Sequence, residues 1–190
     1  ERGMGYCIFS NMAVAIGVAK KTHGEKLRVA VVDWDVHHGN GTESIFLDDP
    51  NVLTISLHQD RLYPHDTGDI DVVGVGTNIN VPLPPGTGNG GYSYAFDEVV
   101  IPAIRKFKPD IICVASGFDS AVYDPLGRML VTAEGYKSLT RKLMNIADEV
   151  CGGKLMMTHE GGYNATYAPF CGLFVMQELS GVTKLPDPFA

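Results

Sequence analysis

The sequence predicts an α/β fold, a mostly parallel sheet flanked by helices. Three observations carry that expectation. Short apolar runs alternate with longer segments of helical period. Three of the four runs are almost unbroken in apolar or β-branched residues, as strands covered on both faces must be. Three of the four also end in clusters of Asp, Ser, His and Gly, where parallel sheets bind their ligands.

Residues 12–20, rich in Ala and Val, predict the first helix, with Asn11 placed to cap it. Ala13, Val14, Ile16 and Val18 lie on more than one side of it, so this helix expects cover from both sides. Residues 27–32 read as the first strand, ending at Asp33, and residues 52–57 as the second. Over residues 94–107 a single stripe holds Phe96, Val99, Val100, Ala103, Ile104 and Phe107 at helical spacing. Pro102 falls inside that helix and should kink it or remove one hydrogen bond. Residues 111–115 form the third strand. Thr132 caps a helix running to about Val150, with Glu134 in the first turn, where the helix dipole favours acid. Leu139, Leu143 and Ile146 are its apolar face. Residues 154–157 give the fourth strand, and 168–179 a last helix that stops at Gly181. Two segments, 59–76 and 82–91, are rich in Gly, Pro and Asp and fit neither element. Loops this long in a compact domain usually serve a site.

With 190 residues and 45% apolar side chains, the chain suits one domain, 1–190, with a sizeable core. This composition excludes collagen, coiled coil, low-complexity disorder and a disulfide miniprotein. Against 22 acidic side chains stand 15 basic ones, and no basic run exceeds Lys20-Lys21 in length. A nucleic-acid face is therefore not expected, and the net charge of −7 favours cationic ligands. Cys7, Cys113, Cys151 and Cys171 form no C-x-x-C pair and have apolar flanks. They read as buried free thiols in a reducing, cytoplasmic setting. No apolar stretch reaches the length of a membrane span, so no membrane partner is expected.

The chemistry gathers at the strand ends. The first gives Asp33-Trp34-Asp35-Val36-His37-His38-Gly39-Asn40-Gly41, the third Ser116-Gly117-Phe118-Asp119-Ser120, the fourth His159-Glu160-Gly161-Gly162-Tyr163. In extended chain, residues two apart point the same way, so Asp35 and His37 can converge on one ion. Asp119 from a neighbouring strand end would complete three protein ligands and leave one position open, the arrangement of catalytic zinc. An Asp, His, Asp set is hard enough for Fe(II) or Co(II) to compete. The alternative is that Asp33 and Asp35 cap the helix that follows, with His37 and His38 as ordinary loop residues. Gly-Asn-Gly and Gly-Val-Gly match neither dinucleotide nor Walker patterns, which leaves a nucleotide-binding module weak. The absence of G-x-S-x-G disfavours a serine hydrolase. His23 reads as solvated; His58 and His65 flank the first long loop as structural groups.

Taken together, D-W-D-V-H-H-G-N-G-T, S-L-H, S-G-F-D-S and E-G-G-Y resemble the zinc-dependent histone deacetylases. The form of the first motif is similar to the class II branch and its bacterial deacetylase-like and acetylpolyamine amidohydrolases. G-Y-C-I-F-S-N, V-P-L-P-P-G-T-G-N and P-F-C-G-L extend the likeness along the whole chain. The resemblance implies the arginase/deacetylase-like fold and a zinc-activated water that hydrolyses acylated lysine or acylpolyamine. It implies Asp35, His37 and Asp119 as zinc ligands and Tyr163 as the donor to the substrate carbonyl. It also implies Asp33 as a carboxylate that orients a catalytic histidine, with Asn40 where other branches carry a second one. Tyr6 becomes a wall of the acyl channel and Leu126 a residue at its rim. Asp33, Asp35, His37, Ser56 and Leu57 match the shell of a structural K⁺ or Na⁺ ion, mostly through backbone carbonyls.

One departure stands out. The family's general base and acid are a histidine pair in a G-H-H-A motif shortly before G-Y-C, and here Gly5-Tyr6-Cys7 follows only a few residues after Glu1. The expectation is an N-terminally truncated deacetylase domain. Two readings then compete: a zinc amidohydrolase, and an inactive fragment that keeps the fold, with a metal or a self-association surface. A truncated chain is expected to be a homo-oligomer that buries the first helix between copies.

Overall fold

The computed structural model describes residues 3–182 and Pro186. Among them the chain order is α1 Asn11–His23, β1 Val29–Asp33, α2 Asn40–Phe46, β2 Val52–Gln59, β3 Asn78–Leu83, α3 Asn89–Ala95, α4 Ile101–Phe107, β4 Ile111–Ser116, α5 Ala133–Cys151, β5 Leu155–His159 and α6 Ala168–Ser180. The strands form one parallel sheet in the order β3-β2-β1-β4-β5. Every residue of β1 and β2 is buried. Side-chain alternation explains their unbroken apolar runs. Ala30 and Val32 face the larger core with α3 to α6, while Val29 and Val31 face Met12 and Ile16 of α1 and Phe46 of α2.

Helix ends follow local chemistry. Thr132 caps α5, its hydroxyl accepting from the Gly135 N–H at 3.2 Å, and α5 and α6 end on Gly152 and Gly181 in the left-handed conformation. Pro102 is absorbed by a wide, π-type turn at Phe96–Val100, which joins α3 to α4 where a proline lacks a donor.

Three expectations need correcting. Ser10, not Asn11, caps α1: its hydroxyl accepts from the Ala13 N–H at 3.1 Å, three residues on. Cys7 is exposed, because Gly5 and Tyr6 at positive φ turn its segment outward; the other three cysteines are buried. The segment 82–91 is no single loop. Pro82 and Leu83 close β3, and residues 89–91 open α3. Pro82 is tolerated because β3 is an edge strand. Helix α1 packs on the sheet through Met12 and Ile16 and leaves Val14 and Val18 exposed, on the helix that the sequence expects a second copy to cover.

Candidate metal centre

The register of β1 at the middle of the sheet sets the site. Asp33 lies level with Ser56 of β2 and Ala115 of β4, and Ser116 of β4 with His159 of β5. The segments leaving β1, β4 and β5 therefore emerge side by side. Asp35 and His37 come from the first, Asp119 from the second, and Gly161, Gly162 and Tyr163 from the third. The donor atoms of Asp35, His37 and Asp119 all lie within 4.8 Å of one another.

Asp35 and His37 converge through a bend, not through the extended chain that the spacing suggested. Asp33 Oδ1 accepts from the Asp35 N–H at 3.0 Å, and Asp35 Oδ1 from the His37 N–H at 2.8 Å. Such Asx turns fold the backbone back on each carboxylate. Each acid is then fixed by a second element: Asp35 Oδ2 accepts from Gly161 N–H at 2.9 Å, and Asp119 Oδ1 from Val36 N–H at 2.8 Å. A side chain on Gly161 would put Cβ 2.1 Å from Asp119 Oδ2 and 2.6 Å from Asp35 Oδ2. Glycine there is a steric requirement of the carboxylate pair.

Electrostatics mark the cluster as incomplete. His37 Nδ1 is 3.0 Å from both Asp35 Oδ1 and Asp119 Oδ2. One ring N–H cannot serve both. It is directed at Asp35, and the wholly buried Asp119 Oδ2 has no hydrogen bond of acceptable geometry. Burial alone would depress the His37 pKa, but the Asp119 and Asp35 carboxylates more than offset it and raise it to about 10. Burial, reinforced by the Asp35 charge, pushes Asp119 up to about 7. Asp35 also resists burial, yet bonding from His37 holds it below the ordinary carboxylate range. One buried and one half-buried carboxylate around one imidazole, with an orphaned oxygen, fit a divalent cation with N and O ligands.

Around this cluster stand aromatic rings. Tyr163 is 6.3 Å from His37 between ring centroids, edge to face, and Tyr6 is 6.1 Å from Tyr163. The sequence reading missed Tyr63, whose ring lies 6.3 Å from that of His37; nothing local in the first long loop marked it. Leu126 is partly exposed beyond Asp124, a second residue missed, whose Oδ1 accepts from the Leu126 N–H at 2.9 Å. Asp33 is buried, and burial with the Asp35 charge raises its pKa well above the usual range. Ser56 Oγ accepts from the Gly39 N–H at 3.2 Å, and Leu57 is wholly buried. Asn40 opens α2 with its amide 3.3 Å from Met4 Sδ, turned to the N-terminal segment and not to the ligands.

Comparison with known proteins settles the family. A histone deacetylase domain model matches residues 1–178. The chain belongs to the histone deacetylase family. It is 47% identical over 193 aligned residues to the histone deacetylase-like amidohydrolase of Pseudomonas aeruginosa, covering 99% of this chain and 50% of that protein. It is 45% identical to histone deacetylase 8 of Arabidopsis thaliana, covering 97% of this chain and 50% of that protein. The solved HDA15 HD domain superposes with a TM-score of 0.87 at 40% identity, covering 98% of this chain and 52% of that one. The chain thus spans about half the length of these relatives. The deacetylase fold expected from the motifs is the fold observed. No helix among the described residues is long and apolar enough to cross a membrane.

Proposed function

We propose that this chain forms the metal-binding side of a zinc-dependent amide hydrolase that removes acyl groups from acylated lysine or acylpolyamine. The observation that carries the reading is the convergence of Asp35, His37 and Asp119 around an unsatisfied buried oxygen. Asp35, His37 and Asp119 would hold the ion, zinc by family likeness, with Fe(II) or Co(II) able to replace it. When bound, the ion supplies Lewis acidity for an amide carbonyl and acidifies water. Tyr163 stands at the mouth of the cluster and can donate its O–H to an oxyanion, since burial and nearby acids keep the phenol protonated. Tyr6, Tyr63 and Leu126 line the approach, and Asp33 stands behind Asp35. Asp33, Asp35, His37, Ser56 and Leu57 are the groups for a K⁺ or Na⁺ ion. A melting temperature identical in K⁺ and in a large organic cation would count against that ion.

Proton transfer is the open duty. His38 is committed to Thr67 Oγ1 at 3.0 Å and Glu43 Oε2 at 3.2 Å, and His159 packs on Phe118. The family resemblance assigns the duty to a histidine pair that this sequence does not contain. The 190 residues alone are therefore expected to bind zinc but to hydrolyse amides weakly. Zinc titration followed by dialysis and metal analysis tests the reading: one retained zinc per chain is expected, and none in Asp119→Ala. Failure of the unaltered chain to retain any divalent ion would overturn it. Strong turnover of an acetyl-lysine peptide or an acetylpolyamine, abolished in Tyr163→Phe, would show that another group in these residues carries the proton.

A further inference from the structure

Tyr163 poses a positioning problem. Its residue is 38% exposed, and its ring lies 6.1 Å from that of Tyr6 and 6.3 Å from that of His37. A phenol this exposed takes much of its direction from the backbone beneath it. That backbone follows two glycines. Gly161 must be glycine to admit the two carboxylates, and Gly162 sits at φ +134, a conformation other residues rarely adopt. The metal cluster thus requires flexible chain immediately before the residue that needs the firmest placement.

Asp124 answers this. It is buried, and its two carboxylate oxygens are divided between two backbone donors: Oδ2 accepts from the Tyr163 N–H at 2.8 Å, Oδ1 from the Leu126 N–H at 2.9 Å. One residue after Tyr163 and one residue before Asp124, Asn164 Nδ2 donates to the Tyr123 carbonyl at 2.7 Å. Tyr123 itself adopts φ +75, the left-handed region that costs a non-glycine residue, and this bend is what carries Asp124 inward. The two bonds staple the turn after β5 to the turn that carries Leu126, one on either side of the Tyr163 Cα.

We propose that Asp124 is a positioning residue: it fixes the Tyr163 phenol over the metal cluster, and sets its distance from the rim at Leu126, by clamping both backbones. The inference rests on the proposed amide-hydrolase reading for the use of that phenol, but the clamp itself can be tested without it. By hydrogen exchange on the unaltered chain, the Tyr163 and Leu126 amides should be protected relative to Gly162 and Asn164. Equal, fast exchange at Tyr163 would overturn the clamp whether or not any variant folds. The functional half is a double-mutant cycle on the zinc-loaded chain, reading the affinity of a small hydroxamate chelator by calorimetry. Tyr163→Phe should weaken binding roughly tenfold, the worth of one hydrogen bond. Asp124→Asn, which puts an amide donor against one of the two N–H groups, should weaken it by a similar factor. The double variant should be no weaker than Tyr163→Phe alone, with zinc content equal in all four proteins. Losses that multiply, or zinc lost with Asp124→Asn, would show that Asp124 acts elsewhere and overturn the proposal. Failure of the unaltered chain to take zinc would instead overturn the hydrolase reading, and the functional half with it.

Discussion

Two histidines, the half-buried His37 and the buried His58, lie near the same end of the sheet in opposite electrostatic states. His37, between Asp35 and Asp119, is raised to about 10. Burial and the neighbouring His38 lower His58 to about 4. The difference lies in their partners. His58 Nδ1 meets Ser56 Oγ at 3.1 Å, its Nε2 meets the Gly68 carbonyl at 3.1 Å, and its ring lies 4.8 Å from that of His38. Behind His38, Glu43 Oε2 also accepts from Asn78 at 2.8 Å and Asn80 at 2.7 Å. That region holds one carboxylate surrounded by donors, and among the described residues Asn80 Oδ1 is its one unpaired buried oxygen. Around His37, two carboxylates share one ring donor, and Asp119 Oδ2 is left without a bond. A network rich in donors closes on itself and pins the loop after β2, whereas one rich in acceptors calls for a cation.

Removing an acceptor from the incomplete region gives the largest expected effect. Asp119→Asn should lower zinc affinity by more than about 100-fold, since even groups behind a ligand are worth 10–100-fold. Competition with a zinc-sensitive dye measures it, and a loss under tenfold would break the contrast. Affinity should also rise with pH, because zinc must displace the His37 proton. With that pKa at about 10, apparent affinity should climb at least about tenfold per unit from pH 6 to 8. A flat profile would mean that the imidazole is already neutral.

Tests of the closed region read out in stability. Glu43→Ala strands the donors of His38, Asn78 and Asn80 in a buried setting and should cost about 3 kcal/mol by urea denaturation. A change below about 1 kcal/mol would mean that water satisfies those donors. His58 gives the smallest effect, with a defined sign. The unfolded chain takes up the proton near pH 6.5, the folded chain only near pH 4. Stability is therefore unaffected above 6.5 and falls as pH drops from 6.5 to 4, by up to about 3 kcal/mol for a shift of this size. His58→Gln should flatten that part of the acid limb, and an unchanged slope would transfer the effect to other groups.

The sequence by itself determined strands β1, β2, β4 and β5, the capped helix α5, the interruption of a helix at Pro102 and the family. Each rests on signals within a few residues: apolar continuity, a Thr three residues before Gly135, a Pro at a known offset, a motif of consecutive residues. It also named Asp35, His37 and Asp119 as candidate ligands, because their chemical types cluster at strand ends. Tertiary structure decided what depends on partners far apart in the chain. β3 was hidden because Pro82 reads as a loop unless the strand is known to be an edge. Glu43 looked like an ordinary helix residue, and only the approach of Asn78 and Asn80 made it a hub. Tyr63 reaches His37 across 26 residues, and Asp124 reaches the Tyr163 N–H across 39. Even the protonation of His37 and His58 followed this rule, since a side chain's type is written in the sequence but the charges around it are set only when the strands come together.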